Sequence, residues 1–184
     1  MKICIISDSH DHREHLAAAV ADASQRGAQA VLHCGDVVAP STLHVVQPFG
    51  LPVHVIHGNN AGDTYHMAKL ANEPGSNVIY HGQDASLRLH GRNIFAVHYP
   101  HYARAMACTG NWDLVCNGHE HRAHIDKVPN IKGGETVLID PGTVGGVSAP
   151  ATYVLGDLET MEFQILKVPL PPQQASETTL SAVR

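Results

Sequence analysis

The sequence predicts an α/β fold, and three observations lead there. Apolar strand-like runs alternate with helix-period segments through the first half of the chain. The second half turns to short strands spaced by turn residues. Each of the early strands also stops abruptly in a polar break, and ligand sites of parallel sheets gather at such carboxyl ends.

Taken in order, Lys2 to Ser7 reads as a buried strand that breaks into "DSHDH". From Asp11 the pattern changes: Asp11 with Glu14 matches a capping box, and Leu16, Ala17, Val20 and Ala21 recur at helical spacing until Gly27. Ala30 to His33 is a second strand, followed by "CGDVVAP" and a short helix through Leu43 to Val46. "PVHVIHGNN" is a third strand with its own polar turn, and Thr64 to Ala71 is a helix. Strands alternating with helices imply parallel pairing through right-handed crossovers.

Eight short strands follow: Asn77 to Tyr80, Ser86 to Leu89, Asn93 to His98, Leu114 to Asn117, His124 to Val128, Thr136 to Ile139, Thr152 to Leu155 and Phe163 to Val168. Tyr102 to Ala107 is read as a helix between them. The expected organisation is a single domain over residues 1–168 and a flexible tail over 169–184, which is rich in proline, serine and threonine and has little to bury.

Composition narrows the function classes. With 43% hydrophobic residues in 184, one core is expected. The formal charge is −5 and no Lys/Arg cluster stands out, so there is no footprint for nucleic acid and a small ligand is expected. Neither a membrane-length apolar run nor a signal-peptide pattern is present, which leads to the expectation of a soluble, cytoplasmic protein. Four cysteines make no disulfide framework in a chain this long, and Cys4, Cys34 and Cys116 read as small buried groups.

Histidine is the anomaly, at fifteen residues. Position singles out a few. In chain order the polar breaks are Asp8 and His10 in "DSH", Asp36 in "GD", Asn59 and Asn60 in "GNN", His98 in "VHY", and His119 and His121 in "GHEH". Each follows an apolar strand, and that recurrence is far more specific than any single break. Aspartate, histidine and asparagine donors suit Mn²⁺, Fe or Zn²⁺, and an aspartate can bridge two cations about 3.5–4 Å apart. Asp36 is the candidate bridge.

This ordered set resembles the calcineurin-like metallophosphoesterase superfamily, whose pattern is D-x-H, G-D, G-N, H and G-H-x-H. It is most similar to the small prokaryotic phosphodiesterase branch called YfcE-like or MJ0936-like, over Lys2 to about Leu158. The resemblance implies a four-layer α/β/β/α sandwich of two mixed β-sheets. It implies one metal held by Asp8, His10, Asp36 and His121 and a second by Asp36, Asn59, His98 and His119. A bridging hydroxide would attack phosphorus in line, so Asp36, Asn59 and His98 act through it. Mn²⁺ is the first expectation, with Fe, Ni²⁺ or Zn²⁺ as the alternatives, a small phosphoester is the implied substrate, and relatives that form dimers or tetramers suggest a homo-oligomer.

Two of the departures from the family pattern bear on the substrate pocket. Asn60 stands where many members have a histidine able to protonate the leaving group, which favours phosphodiesters or other activated esters. Tyr99 replaces the usual glycine after His98, so Asn60, Tyr99 and His101 are substrate-pocket candidates, Tyr102 lies near them, and loop packing is the competing reading for the aromatic residues. A phosphomonoesterase or nucleotidase of the same superfamily, and a non-catalytic interaction scaffold of the same fold, are the alternative functions. The intact donor set favours an enzyme.

Overall fold

A computed structural model describes residues 1–169. The expected tail therefore lies, from residue 170 onward, outside the described residues. The first half runs β1 (Lys2–Ile6), α1 (Arg13–Gln25), β2 (Ala28–His33), two 3-10 turns (Pro40–Val45, Gln47–Phe49), β3 (Val53–Val55) and α2 (Thr64–Ala71). The second runs β4 (Val78–Tyr80), β5 (Asp84–Leu89), β6 (Arg92–Val97), α3 (Pro100–Cys108), β7 (Leu114–Cys116), β8 (His124–Pro129), β9 (Glu135–Asp140), β10 (Thr152–Asp157) and β11 (Glu162–Lys167).

The strands form two mixed sheets, ordered β11-β10-β1-β2-β3-β4 and β5-β6-β7-β9-β8. In the first, β1 to β4 are parallel, β10 pairs antiparallel with β1 and β11 antiparallel with β10; in the second, β6, β7 and β9 are parallel and the edge strands antiparallel. The central strands are apolar on both faces because both faces are covered. In β1, Ile3 and Ile5 enter the cluster between the sheets, while Cys4 and Ile6 face the cluster shared with α1. In β6, Ile94 and Ala96 face inward, while Phe95 and Val97 pack toward α3. Three apolar layers thus separate four layers of secondary structure, as expected.

α1 buries Leu16, Ala19, Val20 and Ala23, one helical stripe. Its start corrects the sequence reading. His12 is the N-cap and makes no side-chain cap bond, so Asp11 and Glu14 form no capping box. Asp11 has a left-handed φ of 63°, and its Oδ1 instead accepts from the Ala39 N–H (2.9 Å) and Thr42 Oγ1–H (2.6 Å). Two donors of the loop after β2 outcompete the local cap. α3 begins two residues before the expected start, with Pro100 in its first turn, where the missing N–H costs nothing. No helix among the described residues is long and apolar enough to cross a membrane.

Candidate metal centre

The parallel strands deliver their carboxyl ends to one edge of the sandwich. The loops after β1, β2 and β3 bring Asp8, His10, Asp36 and Asn59; those after β6 and β7 bring His98, His119 and His121. Main-chain bonds tie these loops together, from Asp8 N–H to Gly35 O (3.0 Å), His10 N–H to Asp36 O (3.0 Å) and Gly118 N–H to His98 O (3.1 Å). Asp8, His10, Asp36, His119 and His121 all have positive φ, between 42° and 80°. Side chains rarely adopt that conformation, and strain of this kind concentrates at functional sites.

All seven expected ligand residues are brought together. The donor atoms of Asp8, His10 and His121 lie within 4.8 Å of one another, as do those of Asp8, Asp36 and His98. Asn59 Oδ1 is 3.0 Å from His98 Nε2 and 2.9 Å from His119 Nδ1. Asp36 faces both groups, with Oδ1 3.5 Å from His98 Nε2 and Oδ2 3.8 Å from His10 Nε2. Asp8, Asp36 and His98 form a buried floor, whereas Asn59 and His119 are exposed.

Hydrogen bonding decides two tautomers. A carbonyl can only accept, so His98 Nδ1–H donates to Cys34 O (2.8 Å) and His121 Nδ1–H to Val147 O (2.9 Å). In the neutral imidazoles this leaves each Nε2 as a lone pair directed into the site. His121 Nε2 is 3.1 Å from His10 Nε2 and 3.2 Å from Asp8 Oδ1. Asp8 Oδ2 accepts from the His119 N–H at 3.0 Å, yet Asp8 Oδ1 is buried with no hydrogen-bond partner. A buried carboxylate oxygen left unpaired is costly, and a cation among these donors would offset that cost. The donor set fits a divalent metal.

The surroundings hold the donors in place. Asn60 donates to Asp36 from its backbone N–H (to Oδ1, 2.8 Å) and from Nδ2 (to Oδ2, 2.6 Å), so it is turned onto the carboxylate. His33 accepts the Gly35 N–H at Nδ1 (3.3 Å), which leaves Nε2–H to donate to Ser9 Oγ (3.0 Å). Burial, and after it the nearby His98, pushes His33 down to about 3, so it stays uncharged. Asp140 accepts from Asn117 Nδ2 (2.8 Å) and the Gly142 N–H (2.9 Å), and burial pushes it up to about 7. Thr143 Oγ1–H donates to Asp8 O at 2.9 Å. A Cβ on Gly58 would stand 2.6 Å from His98 Cδ2, and one on Gly118 2.6 Å from Asp8 Oδ2, so both positions require glycine.

The family model of the calcineurin-like phosphoesterase superfamily domain matches residues 1–161. The chain belongs to that superfamily. It is 26% identical over 168 residues to phosphodiesterase MJ0936 of Methanocaldococcus jannaschii, covering 89% of this chain and 97% of that protein. Among solved structures, an archaeal phosphodiesterase superposes with a TM-score of 0.81 at 23% identity, over 91% of this chain and 99% of that one. The E. coli phosphoesterase YfcE gives 0.62 at 18%, over 91% and 100%. Vacuolar protein sorting 29 from Cryptosporidium parvum gives 0.57 at 16%, over 90% and 95%. At these identities the solved structures establish the fold alone.

Within this superfamily member, the pocket candidates divide. Tyr99 packs against two candidate ligands, with its ring centroid 5.4 Å from His98 and 5.3 Å from His119. His101 lies one ring further out, 5.8 Å from Tyr99. Sequence reasoning missed the carbonyls of Cys34 and Val147, which carry no side-chain signal. It also missed Asn117, which a buried polar residue at a strand end before "GHEH" could have flagged.

Proposed function

We propose that this chain is a phosphodiesterase that uses two divalent cations, with Mn²⁺ the first choice. Asp8, His10, Asp36 and His121 would hold one cation, and Asp36, Asn59, His98 and His119 the other. The observation that carries this reading is the buried, unpartnered Asp8 Oδ1 facing the Nε2 atoms of His10 and His121. Bound there, the cations would supply an activated water for in-line attack and positive charge for the phosphate oxygens.

The chain's own residues account for the rest. Asp36 turns one oxygen toward each donor group, and Asn60 locks that orientation through two hydrogen bonds. Cys34 O and Val147 O hold His98 and His121 with their lone pairs aimed inward. Asn59 offers an amide oxygen without charge, which keeps the centre electron-poor. Asn60 can donate a hydrogen bond but not a proton at neutral pH, so esters with activated alcohols are favoured. A cleft of about 540 Å³ opens beside His119 and His121 and carries Arg122 and Lys167 on its walls. It provides room for the second substituent of a diester.

The test combines elemental analysis of the purified chain with hydrolysis of bis(4-nitrophenyl) phosphate and 4-nitrophenyl phosphate under added Mn²⁺, Fe²⁺, Ni²⁺ and Zn²⁺. We expect metal-dependent turnover with the larger kcat/KM for the diester. Asp36→Asn, nearly isosteric, should lower it by more than about 100-fold with circular dichroism unchanged. A monoester preference would overturn the substrate assignment, and a metal-loaded but inert chain would point to a scaffold.

A further inference from the structure

Beside the centre stands a row of aromatic rings that lies outside the three apolar clusters. The chain has five tyrosines, and two of them, Tyr99 and Tyr102, fall within four residues of His98. Tyr99 meets His98 and His119 edge to face, at 73° and 64°. Tyr102 continues the row 6.1 Å from Tyr99 at 77°, and His101 lies 4.2 Å from Tyr102 with the rings tilted by 42°.

Tyr99 is half-buried against the two histidines, but the apolar core does not account for the row. The apolar cluster beneath α3 is built on Phe95, Val97, Ala103, Ala107 and their neighbours, and none of the three rings belongs to it. Tyr102 remains 51% exposed, and His101 is exposed as well. Neither tyrosine hydroxyl, nor the His101 ring, makes a hydrogen bond among the described residues. Aromatic surface held open next to a reactive centre is suited to stacking, because the face of any base or aryl ring is attracted to it whatever its substituents.

We infer that Tyr99, His101 and Tyr102 form a stacking ledge that selects phosphoesters carrying a planar aromatic group, either a nucleobase or a simple aryl ring. The inference rests on the phosphoesterase reading of the adjoining centre. The ledge acts on the substituent rather than on phosphorus, so these are specificity-determining residues and not catalytic ones.

Calorimetric titration of the Mn²⁺-loaded full chain with four monoesters that share a phosphate, namely phenyl phosphate, thymidine 5′-phosphate, ethyl phosphate and phosphocholine, tests it. Phenyl phosphate and thymidine 5′-phosphate should bind at least about tenfold more tightly than ethyl phosphate, equivalent to about 1.4 kcal/mol. Tyr102→Ala should bring that ratio close to one, while Tyr102→Phe, which keeps the ring, should preserve it. A nucleobase ligand is indicated if thymidine 5′-phosphate exceeds phenyl phosphate, and a simple aryl group if it does not. Equal binding of ethyl phosphate, a ratio unmoved by Tyr102→Ala, or a preference for phosphocholine would each overturn the ledge while leaving the centre intact. No binding of any of the four by metal-loaded chain that still hydrolyses bis(4-nitrophenyl) phosphate would overturn the ledge alone, and loss of that hydrolysis as well would remove the phosphoester reading and the ledge with it.

Discussion

At the scale of single residues, two buried groups near the centre pull stability in opposite directions with pH. His33 sits at about 3 in the fold against an ordinary value of 6.5. Between those values the unfolded chain holds a proton that the native chain does not. His33 therefore contributes stability fully above pH 6.5 and loses it as pH falls toward 3. His54, pushed down to about 4 by burial and by His81, acts in the same sense. Asp140 sits at about 7 in the fold against 3.8, so between those values the native chain holds a proton that the unfolded chain has lost. Its contribution is present below pH 3.8 and is lost as pH rises to 7, so it partly offsets the histidines. Asp140→Asn in metal-free protein should leave the histidines unopposed and steepen the acid loss between pH 7 and 4.5 by on the order of 2 kcal/mol. Urea unfolding across that range in the presence of a chelator measures it, and a profile superimposable on wild type would refute the assignment. The seven clustered donors were legible in the sequence because their chemistry resides in side chains; the protonation of Asp140 was not, because burial is a property of the assembled fold.

At the scale of elements, strand interiors were easier to read than element ends. β1, β2, β6 and β7 stand out because both faces of their centres are covered, so each carries a run of three or more apolar residues; α2 coincides with its expected span of Thr64–Ala71. The start of α1 was not readable, since the competitor for Asp11 is a loop 28 residues away that becomes a neighbour only after folding. This has a measurable outcome. Asp11→Ala strands the hydroxyl of Thr42, a residue only 1% exposed, and should cost about 1–3 kcal/mol in urea unfolding. Glu14→Ala, at the partner position of the absent capping box, should stay within about 0.5 kcal/mol. Equal losses from the two would restore the box.

For the whole molecule, strand order was beyond the sequence. Nothing in "TYVLGD" announces that β10 pairs antiparallel with β1, as Cys4 faces Leu155 across the chain's length. The candidate ligands come from both sheets, so cations that bind the native state alone should brace the sandwich at its open edge. Mn²⁺ at about 100 times its Kd should add about 2.7 kcal/mol, and a chelator should reverse the gain. For a chain of this size the shift in Tm is about 5–10 °C by calorimetry. His121→Ala should shrink the shift, and a Tm indifferent to Mn²⁺ in wild type would contradict the centre.

The imidazole rings of His98 and His121 are steered by peptide oxygens at positions 34 and 147 rather than by carboxylates or amides. Replacing either of those two side chains leaves the acceptor in place. Mutational drift there cannot erase the alignment so long as the chain keeps its path, and the trait is inherited through the trace of the backbone instead of through any particular codon.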